Sequence, residues 1–126
     1  MKETKFRVWD KHYERWEERP CAINKKGKLF IYNADSGEWF EPQHTAYEVE
    51  WYTGLKDKTG TEIYEADIVR RRTTHSQPIL IVKWGETGWN PFEDDLCNLG
   101  SVAYYEVIGN IHENPEILEK RNGLNG

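Results

Sequence analysis

The sequence predicts a mainly β protein, in which hairpins build antiparallel sheets of a barrel-like or sandwich-like kind and a short helix follows near the C-terminus. Turn signals rich in Gly, Asn and Asp recur along the 126 residues, and they separate about eight to ten strand-like segments. Aromatic residues are frequent, with six Trp, seven Tyr and four Phe, and large aromatic side chains favour strands. These features are typical of a small antiparallel β fold.

The first strand begins at Phe6, and the residues after it allow two interpretations. Trp9, Tyr13 and Trp16 have the spacing of one face of a helix. Alternatively, residues 10–13 turn the chain and Arg15-Trp16 returns as a second strand.

A β-meander is predicted between residues 21 and 40. Residues 21–23, 28–32 and 38–40 are strand-like, and the two turns between them end in Gly27 and Gly37. Each turn therefore offers a residue that tolerates a positive φ.

Residues 41–44 form the best candidate for an internal boundary. We interpret residues 1–126 as a single domain that divides, if it divides at all, into an N-terminal meander (1–43) and a barrel-like part (44–120).

An alternating segment follows the boundary. Tyr47, Val49 and Trp51 alternate with Glu48 and Glu50. A period of two predicts a half-buried strand with an acidic outer face.

Residues 53–69 carry the densest turn chemistry of the chain. Asp57 and Gly60 occupy the first and last positions of a predicted type I turn. Leu55 and Ile63 flank this turn, so they can meet across a hairpin.

A second turn is predicted at residues 65–67, where the side chain of Asp67 is expected to cap the turn. Ile68 and Val69 then begin another strand. Residues 79–84 are the most apolar run of the chain and predict a core strand.

Residues 85–99 predict a long mobile loop, within which a short hairpin through Trp89 and Phe92 can form. Residues 101–111 predict one long strand, in which Gly109 indicates a bulge or the close approach of another backbone.

The segment Asn114-Pro115-Glu116 offers an N-cap, a first helical residue and an acid in the first turn. This pattern predicts a short helix that begins at Pro115. Residues 121–126 are expected to fray.

Three segments resemble the YopX family. Residues 5–11 are similar to its opening strand and residues 105–116 to its closing segment. The central motif is formed by Gly54, Leu55, Asp57, Gly60, Ile63, Tyr64, Glu65, Asp67, Ile68 and Val69. The resemblance implies a mostly β fold and a phage or prophage origin, it implies no activity, and it favours the hairpin interpretation of residues 10–16.

One residue departs from the family pattern. The family usually has Gly where this chain has Ala66. Gly at that position suits a positive φ or a tight backbone approach, so Ala66 either accepts this geometry at a cost or marks a different turn.

Charge and hydropathy bear on location and partners. The net charge is −5, which argues against broad attraction to phosphate backbones. The chain has no apolar run long enough for a membrane-spanning helix, and no apolar segment typical of a signal peptide follows its first residues. Cys21 and Cys97 are interpreted as free thiols. We therefore expect a cytoplasmic protein without a membrane partner, and the family resemblance implies that the cell is a bacterial host.

The motifs that would indicate catalysis or a cofactor are missing from the sequence. The four His and two Cys residues lack ligand spacing for a metal. Residues 54–60 have their glycines and Lys-Thr in the wrong order for a P-loop, and neither Cys has a nucleophile context. The carboxylates at residues 62, 65 and 67 and at residues 93–95 give no sign of a cleft. We predict no catalytic residue, no metal, no cofactor and no enzymatic activity.

Two functional hypotheses remain. Seventeen aromatic residues exceed the needs of a small core, and Trp and Tyr are favoured interface residues. This favours an interaction module that acts through a protein partner or as a homo-oligomer. The alternative is a nucleic-acid-binding module. It would use Arg70 and Arg72 with an aromatic neighbour such as Trp84, Trp89 or Tyr104, and with added charge from Lys25, Lys26 and Lys28.

Overall fold

The computed structural model describes residues 5–72, 77–86, 88–92, 101–102 and 104–119. These residues form two compact units. The amino-terminal unit is residues 6–50, and the carboxy-terminal unit is Lys5 with the described residues from Trp51 onwards. The predicted fold class is confirmed, because strands in mainly antiparallel sheets dominate and one short helix follows near the C-terminus.

The amino-terminal unit contains five strands and the start of a sixth. They are β1 (Phe6–Asp10), β2 (Arg15–Trp16), β3 (Cys21–Ile23), β4 (Leu29–Asn33), β5 (Glu38–Phe40) and the first residues of β6 (Tyr47–Asp57). β1 lies between β2 and β6, while β3, β4 and β5 form a separate antiparallel sheet in that order.

The hairpin interpretation of residues 10–16 is confirmed. Trp9 of β1 is paired with Trp16 of β2, and their rings meet edge to face with centroids 4.9 Å apart. The buried Asp10 carboxylate forms the turn, since its Oδ1 accepts hydrogen bonds from the backbone N–H groups of His12 and Tyr13. The helical spacing of Trp9, Tyr13 and Trp16 arises here from a four-residue turn segment between two strands.

The predicted meander is also confirmed. β3 pairs with β4 and β4 with β5, all antiparallel. The Gly27 N–H donates to the Asn24 carbonyl and the Gly37 N–H to the Asn33 carbonyl. Both glycines have a positive φ, 82° and 72°, which explains why Gly ends each turn.

The predicted acidic outer face of β6 is wrong at Glu50. Glu50 is 3% exposed, whereas Trp51 is 36% exposed. The Glu50 carboxylate enters the protein because the Arg7 guanidinium binds it, with Arg7 Nε 3.0 Å from Glu50 Oε1. Opposite charge on the neighbouring strand thus reverses the pattern that hydropathy alone predicts.

The carboxy-terminal unit contains the rest of β6 and seven further strands among the described residues. They are β7 (Glu62–Tyr64), β8 (Asp67–Arg71), β9 (Ile79–Ile81), β10 (Lys83–Gly85), β11 (Gly88–Asn90), β12 (Ser101–Val102) and β13 (Tyr105–Asn110). β8 lies between β13 and β9, β10 pairs with β11, and β6 pairs antiparallel with β7 and parallel with β12.

The core of this unit is formed by side chains from several strands. Its buried members are Ile63, Val69, Val82, Phe92 and Tyr105, and Leu55, Leu80, Trp89 and Val107 pack against them. Leu55 and Ile63 therefore share one core, as expected for residues that flank the hairpin turn.

The predicted strand at residues 79–84 is divided at Val82. The Val82 N–H donates to the Asp67 carbonyl, and the Ala66 N–H donates to the Val82 carbonyl. Because Val82 pairs with this turn, β9 ends before Val82 and the β10–β11 hairpin begins after it. A hairpin is present in this region, but β10 and β11 form it and it contains Trp89 without Phe92, which lies beyond it and in the core. The rest of the predicted loop, residues 93–99, lies outside the described residues.

The predicted long strand at residues 101–111 is wrong. The structure has two strands there, and β12 pairs with β6 while β13 pairs with β8. The bulge expected at Gly109 is confirmed by a register shift between Val107 and Gly109. The predictions for Cys97, for residues 93–95 and for residues 121–126 lie outside the described residues.

The predicted helix, α1, is present at residues 115–119. Asn114 precedes it, and Asn114 Oδ1 accepts a hydrogen bond of 3.2 Å from the Asn110 N–H. A Cβ atom at Gly109 would lie 2.7 Å from this same oxygen. Gly109 is therefore required by the close approach of a side chain.

Replacing Gly109 by Ala is expected to lower the free energy of unfolding by about 1–3 kcal/mol, because the added methyl group displaces Asn114. Urea unfolding of the variant and the wild type measures this. Because the Asn114 Cβ would also lie only 3.0 Å from the added methyl group, the rescue variant removes the whole side chain: Gly109→Ala/Asn114→Gly should be about as stable as Asn114→Gly alone. A Gly109→Ala variant that matches the wild type would contradict the steric explanation.

Within the described ranges, no helix combines the length and the apolar character that crossing a lipid bilayer would require.

Candidate functional site

The central motif is built around the carboxylate of Asp57, which is 2% exposed. Its Oδ1 accepts hydrogen bonds from the Thr59 N–H at 2.8 Å, the Thr59 hydroxyl at 2.7 Å and the Thr61 N–H at 3.0 Å. Its Oδ2 accepts one from the Val107 N–H at 2.9 Å. The side chain thus holds the predicted turn and fastens it to β13, which lies 50 residues further along the chain.

These contacts act on the pKa of Asp57 in opposite directions. Burial raises the pKa, but the hydrogen bonds from Val107, Thr59 and Thr61 lower it by more, so the pKa lies below its ordinary value of 3.8. Asp57 is therefore an ionised, structurally bound carboxylate, and a general acid needs the opposite shift.

A second buried polar cluster holds the turn between β7 and β8. Asp67 Oδ2 accepts a hydrogen bond of 2.8 Å from the Tyr64 N–H, which confirms the predicted capping role of its side chain. Asn110 Nδ2 lies 3.3 Å from both Asp67 Oδ1 and the Ala66 carbonyl oxygen. The cluster joins this turn to the end of β13.

Ala66 adopts the conformation that the family pattern implies, with a φ of 70°. Its N–H donates to Val82, and its carbonyl accepts from Ile111. A left-handed backbone costs a non-Gly residue about 1–2 kcal/mol. These hydrogen bonds therefore stabilise Ala66 in a backbone conformation that alanine does not favour by itself.

Two substitutions at Ala66 are expected to separate backbone geometry from side-chain burial. Ala66→Gly relieves strain but loses a buried methyl group, so its stability should stay within about 1 kcal/mol of the wild type. Ala66→Val places a β-branched residue at a positive φ and should cost about 2–3 kcal/mol. Thermal unfolding measures both, with Ala22→Val on the exposed face of β3 as the control. Equal stability of Ala66→Val and Ala22→Val would contradict the strain.

The other motif residues take structural positions in β6, β7 and β8 and in the turns between these strands. Gly54 and Gly60 have φ values of 83° and 89°. Ile63, Ile68 and Val69 are fully buried. Tyr64 pairs with Tyr52 across β6 and β7, and the Glu65 side chain accepts a hydrogen bond from the Trp51 N–H.

The carboxylates at residues 62, 65 and 67 each accept a hydrogen bond. Glu62 is bound by Lys5 Nζ at 2.8 Å, which lowers its pKa, Glu65 contacts the Trp51 N–H, and Asp67 contacts the Tyr64 N–H. These three donors are different groups, and the Tyr64 hydroxyl also donates to Glu62.

Cys21 does not have the surroundings of a nucleophile. Burial raises the pKa of its thiol, and its Sγ lies 3.3 Å from the Arg19 carbonyl oxygen. A reactive thiolate needs the opposite shift.

The arginine run lies at the end of β8 and is divided between two faces, as the alternation of a strand predicts. Arg70 is paired in register with Glu106, and Arg71 with Tyr105. The Arg72 guanidinium lies 3.1 Å from Glu106 Oε2, and Lys58 Nζ lies 3.6 Å from the same oxygen. Glu106 thus offsets part of the positive charge that the sequence alone assigns to Arg70 and Arg72.

Sequence reasoning missed Glu106. It stands in an alternating strand among apolar residues, and nothing nearby indicates that it faces the arginines. The register between β8 and β13 decides this contact, and a bulge at Gly109 sets that register.

Two aromatic residues form a pair on the β10–β11 hairpin. Trp84 is paired in register with Trp89, and their rings meet edge to face at 5.0 Å. Trp89 packs against the core, whereas Trp84 is 65% exposed. The hairpin thus exposes the Trp84 ring to solvent while Trp89 packs beneath it.

Comparisons with known proteins agree with this architecture. The YopX protein family matches the chain over residues 5–119. The crystal structure of protein EF1440 from Enterococcus faecalis is similar, with a TM-score of 0.59, 26% identity, and coverage of 91% of this chain and 97% of that chain. The crystal structure of protein yopX from Bacillus subtilis gives a TM-score of 0.51, 24% identity, and coverage of 88% and 94%. A comparison with curated proteins found no match.

The family match includes the opening strand, the central motif and the closing segment. The identity to yopX is low enough that this likeness shows the fold alone. On the strength of the family match, the chain belongs to the YopX protein family.

Proposed function

We propose that this protein is a non-enzymatic interaction module of phage or prophage origin, which acts in the bacterial cytoplasm through a protein partner or a second copy of itself. The exposed Trp84 on the β10–β11 hairpin carries the proposal. A large aromatic side chain that is 65% exposed gains much apolar burial when a partner covers it.

The support beneath Trp84 adds to this argument. Trp84 packs edge to face on Trp89, which is itself partly buried and packs against the core. A side chain that is already ordered loses less conformational entropy on binding. Trp84 is therefore suited to be the central anchor of an interface.

The test begins with light scattering of the purified protein and with capture of partners from a host lysate. A partner that is captured is then purified, and its Kd is measured against the wild type and Trp84→Ala. Loss of an interface anchor should weaken binding about thirty-fold or more. Tyr104→Ala removes another exposed aromatic side chain of the same unit and serves as the matched control.

A strictly monomeric protein with no partner would contradict the proposal, and so would a partner that binds Trp84→Ala as tightly as the wild type. The alternative, nucleic-acid binding through Arg70 and Arg72, is less well supported, because Glu106 binds Arg72. The double variant Arg70→Ala/Arg72→Ala tests that alternative directly.

A further inference from the structure

The meander carries an aromatic face that the function proposed above does not use. Ala22 pairs with Phe30, and Tyr32 pairs with Trp39. Residues paired across antiparallel strands share a face, as do residues two apart on one strand. Phe30, Tyr32 and Trp39 therefore lie on the same face of the three-stranded sheet.

This face is partly open to solvent. Trp39 is 49% exposed, Ala22 is exposed, and Phe30 and Tyr32 are half-buried. The rings of Tyr32 and Trp39 meet edge to face at 5.3 Å. The opposite face contains Ile31, which is fully buried. Ile31 is thus buried on one face of the sheet and Trp39 is exposed on the other, while Phe40, which is paired with Ile31, is 36% exposed at the edge.

One end of this face is positively charged. Residues 24–33 contain Lys25, Lys26 and Lys28 and no acidic residue. All three lysines are exposed at the turn between β3 and β4. Lys28 Nζ lies 3.7 Å from Glu41 Oε1, but both side chains are at least half exposed. Such a contact is weak, so a phosphate group can replace it.

We propose that this face, formed by Phe30, Tyr32 and Trp39 with Lys25, Lys26 and Lys28, binds single-stranded nucleic acid. Aromatic rings on the open face of a small antiparallel sheet stack bases without reading their sequence. Rings two residues apart on a strand are about 6.6 Å apart along it, so neighbouring bases can each meet a ring. The lysines supply the contact to the phosphates.

The test measures fluorescence anisotropy of a labelled oligo(dT) of about twelve nucleotides with the full-length protein. Trp39→Ala should weaken binding about ten-fold or more, and Trp39→Phe should keep most of the affinity because a ring remains. With three lysine contacts, the logarithm of the affinity should fall against the logarithm of salt with a slope of about −2, and Lys25→Ala/Lys26→Ala should reduce the slope to about −0.7.

Matched controls separate this site from the others. Trp84→Ala and Arg70→Ala/Arg72→Ala should bind the oligonucleotide as the wild type does, so loss of the partner contact at Trp84 would leave this result unchanged. Circular dichroism of Trp39→Ala should match the wild type, because Trp39 lies on the exposed edge strand β5.

Three outcomes would overturn the proposal. The first is no binding at low salt, and the second is loss of binding in the arginine variant alone. The third is equal affinity of wild type and Trp39→Ala for oligo(dT), duplex DNA and heparin, which would show attraction to polyanions without stacking.

Discussion

Replacing Asp57 by Ala is expected to lower the free energy of unfolding by about 3–4 kcal/mol, because four hydrogen bonds to a buried carboxylate are lost together. The Val107 N–H on β13 would then be left without this acceptor. Asp57→Asn keeps the shape but turns an amide NH₂ towards a backbone N–H, and it should cost about 2 kcal/mol. Urea unfolding followed by tryptophan fluorescence measures both variants.

The pH dependence provides a second measurement on the same residue. The pKa of Asp57 is lower in the folded protein than its ordinary value of 3.8. Its ionised form therefore stabilises the fold fully above that value, and this contribution is lost as the pH falls through the folded pKa. The wild type should lose stability relative to Asp57→Asn as the solution is acidified below pH 3.8.

Asp35→Asn is the matched control, because Asp35 lies exposed in the turn between β4 and β5. Its effect on stability should stay within about 0.5 kcal/mol. If Asp57→Asn proved as mild as Asp35→Asn, or if the acid-induced loss were the same with and without Asp57, the carboxylate would not fasten the turn to β13.

Local chemistry explains which parts of the fold are predictable from sequence. Gly27, Gly37 and Gly60 each end a turn with a positive φ, and Asn or Asp begins each of those turns. These signals depend on only a few neighbouring residues. The hairpin, the meander and the central motif are therefore accessible from sequence alone.

Long-range contacts explain the errors. Hydropathy places Glu50 outside, but Arg7 binds it from a strand 43 residues away. The apolar run at residues 79–84 suggests one strand, but Val82 pairs with the turn at Ala66 and Asp67 and divides it. The same limit applies to the candidate sites. Arg70 and Arg72 are visible as a basic run, while the position of Glu106 beside them depends on strand register.

Removing the partner of Glu50 is expected to have the other large effect on stability. Glu50 and Arg7 form an ion pair whose carboxylate side chain is 4% exposed and whose guanidinium side chain is 23% exposed. Arg7→Met should lower the free energy of unfolding by about 3 kcal/mol or more, because it leaves a buried carboxylate without its guanidinium. Part of this loss comes from the contact of Arg7 with the Trp16 ring, where the guanidinium carbon lies 4.3 Å from the centroid.

A double variant separates the effect of the ion pair from the effect of the Trp16 contact. Arg7→Met/Glu50→Leu removes the buried Glu50 carboxylate as well, so it should be more stable than Arg7→Met, whereas the loss of the Trp16 contact persists in both. The exposed pair of Lys5 and Glu62 is the matched control, because its N–O distance of 2.8 Å is similar but its side chains are 43% and 33% exposed. Lys5→Met should cost less than about 1 kcal/mol. If Arg7→Met and Lys5→Met lowered the free energy of unfolding equally, the ion pair with Arg7 would matter no more at a buried carboxylate than at an exposed one. The burial of Glu50 on β6 would then need another explanation.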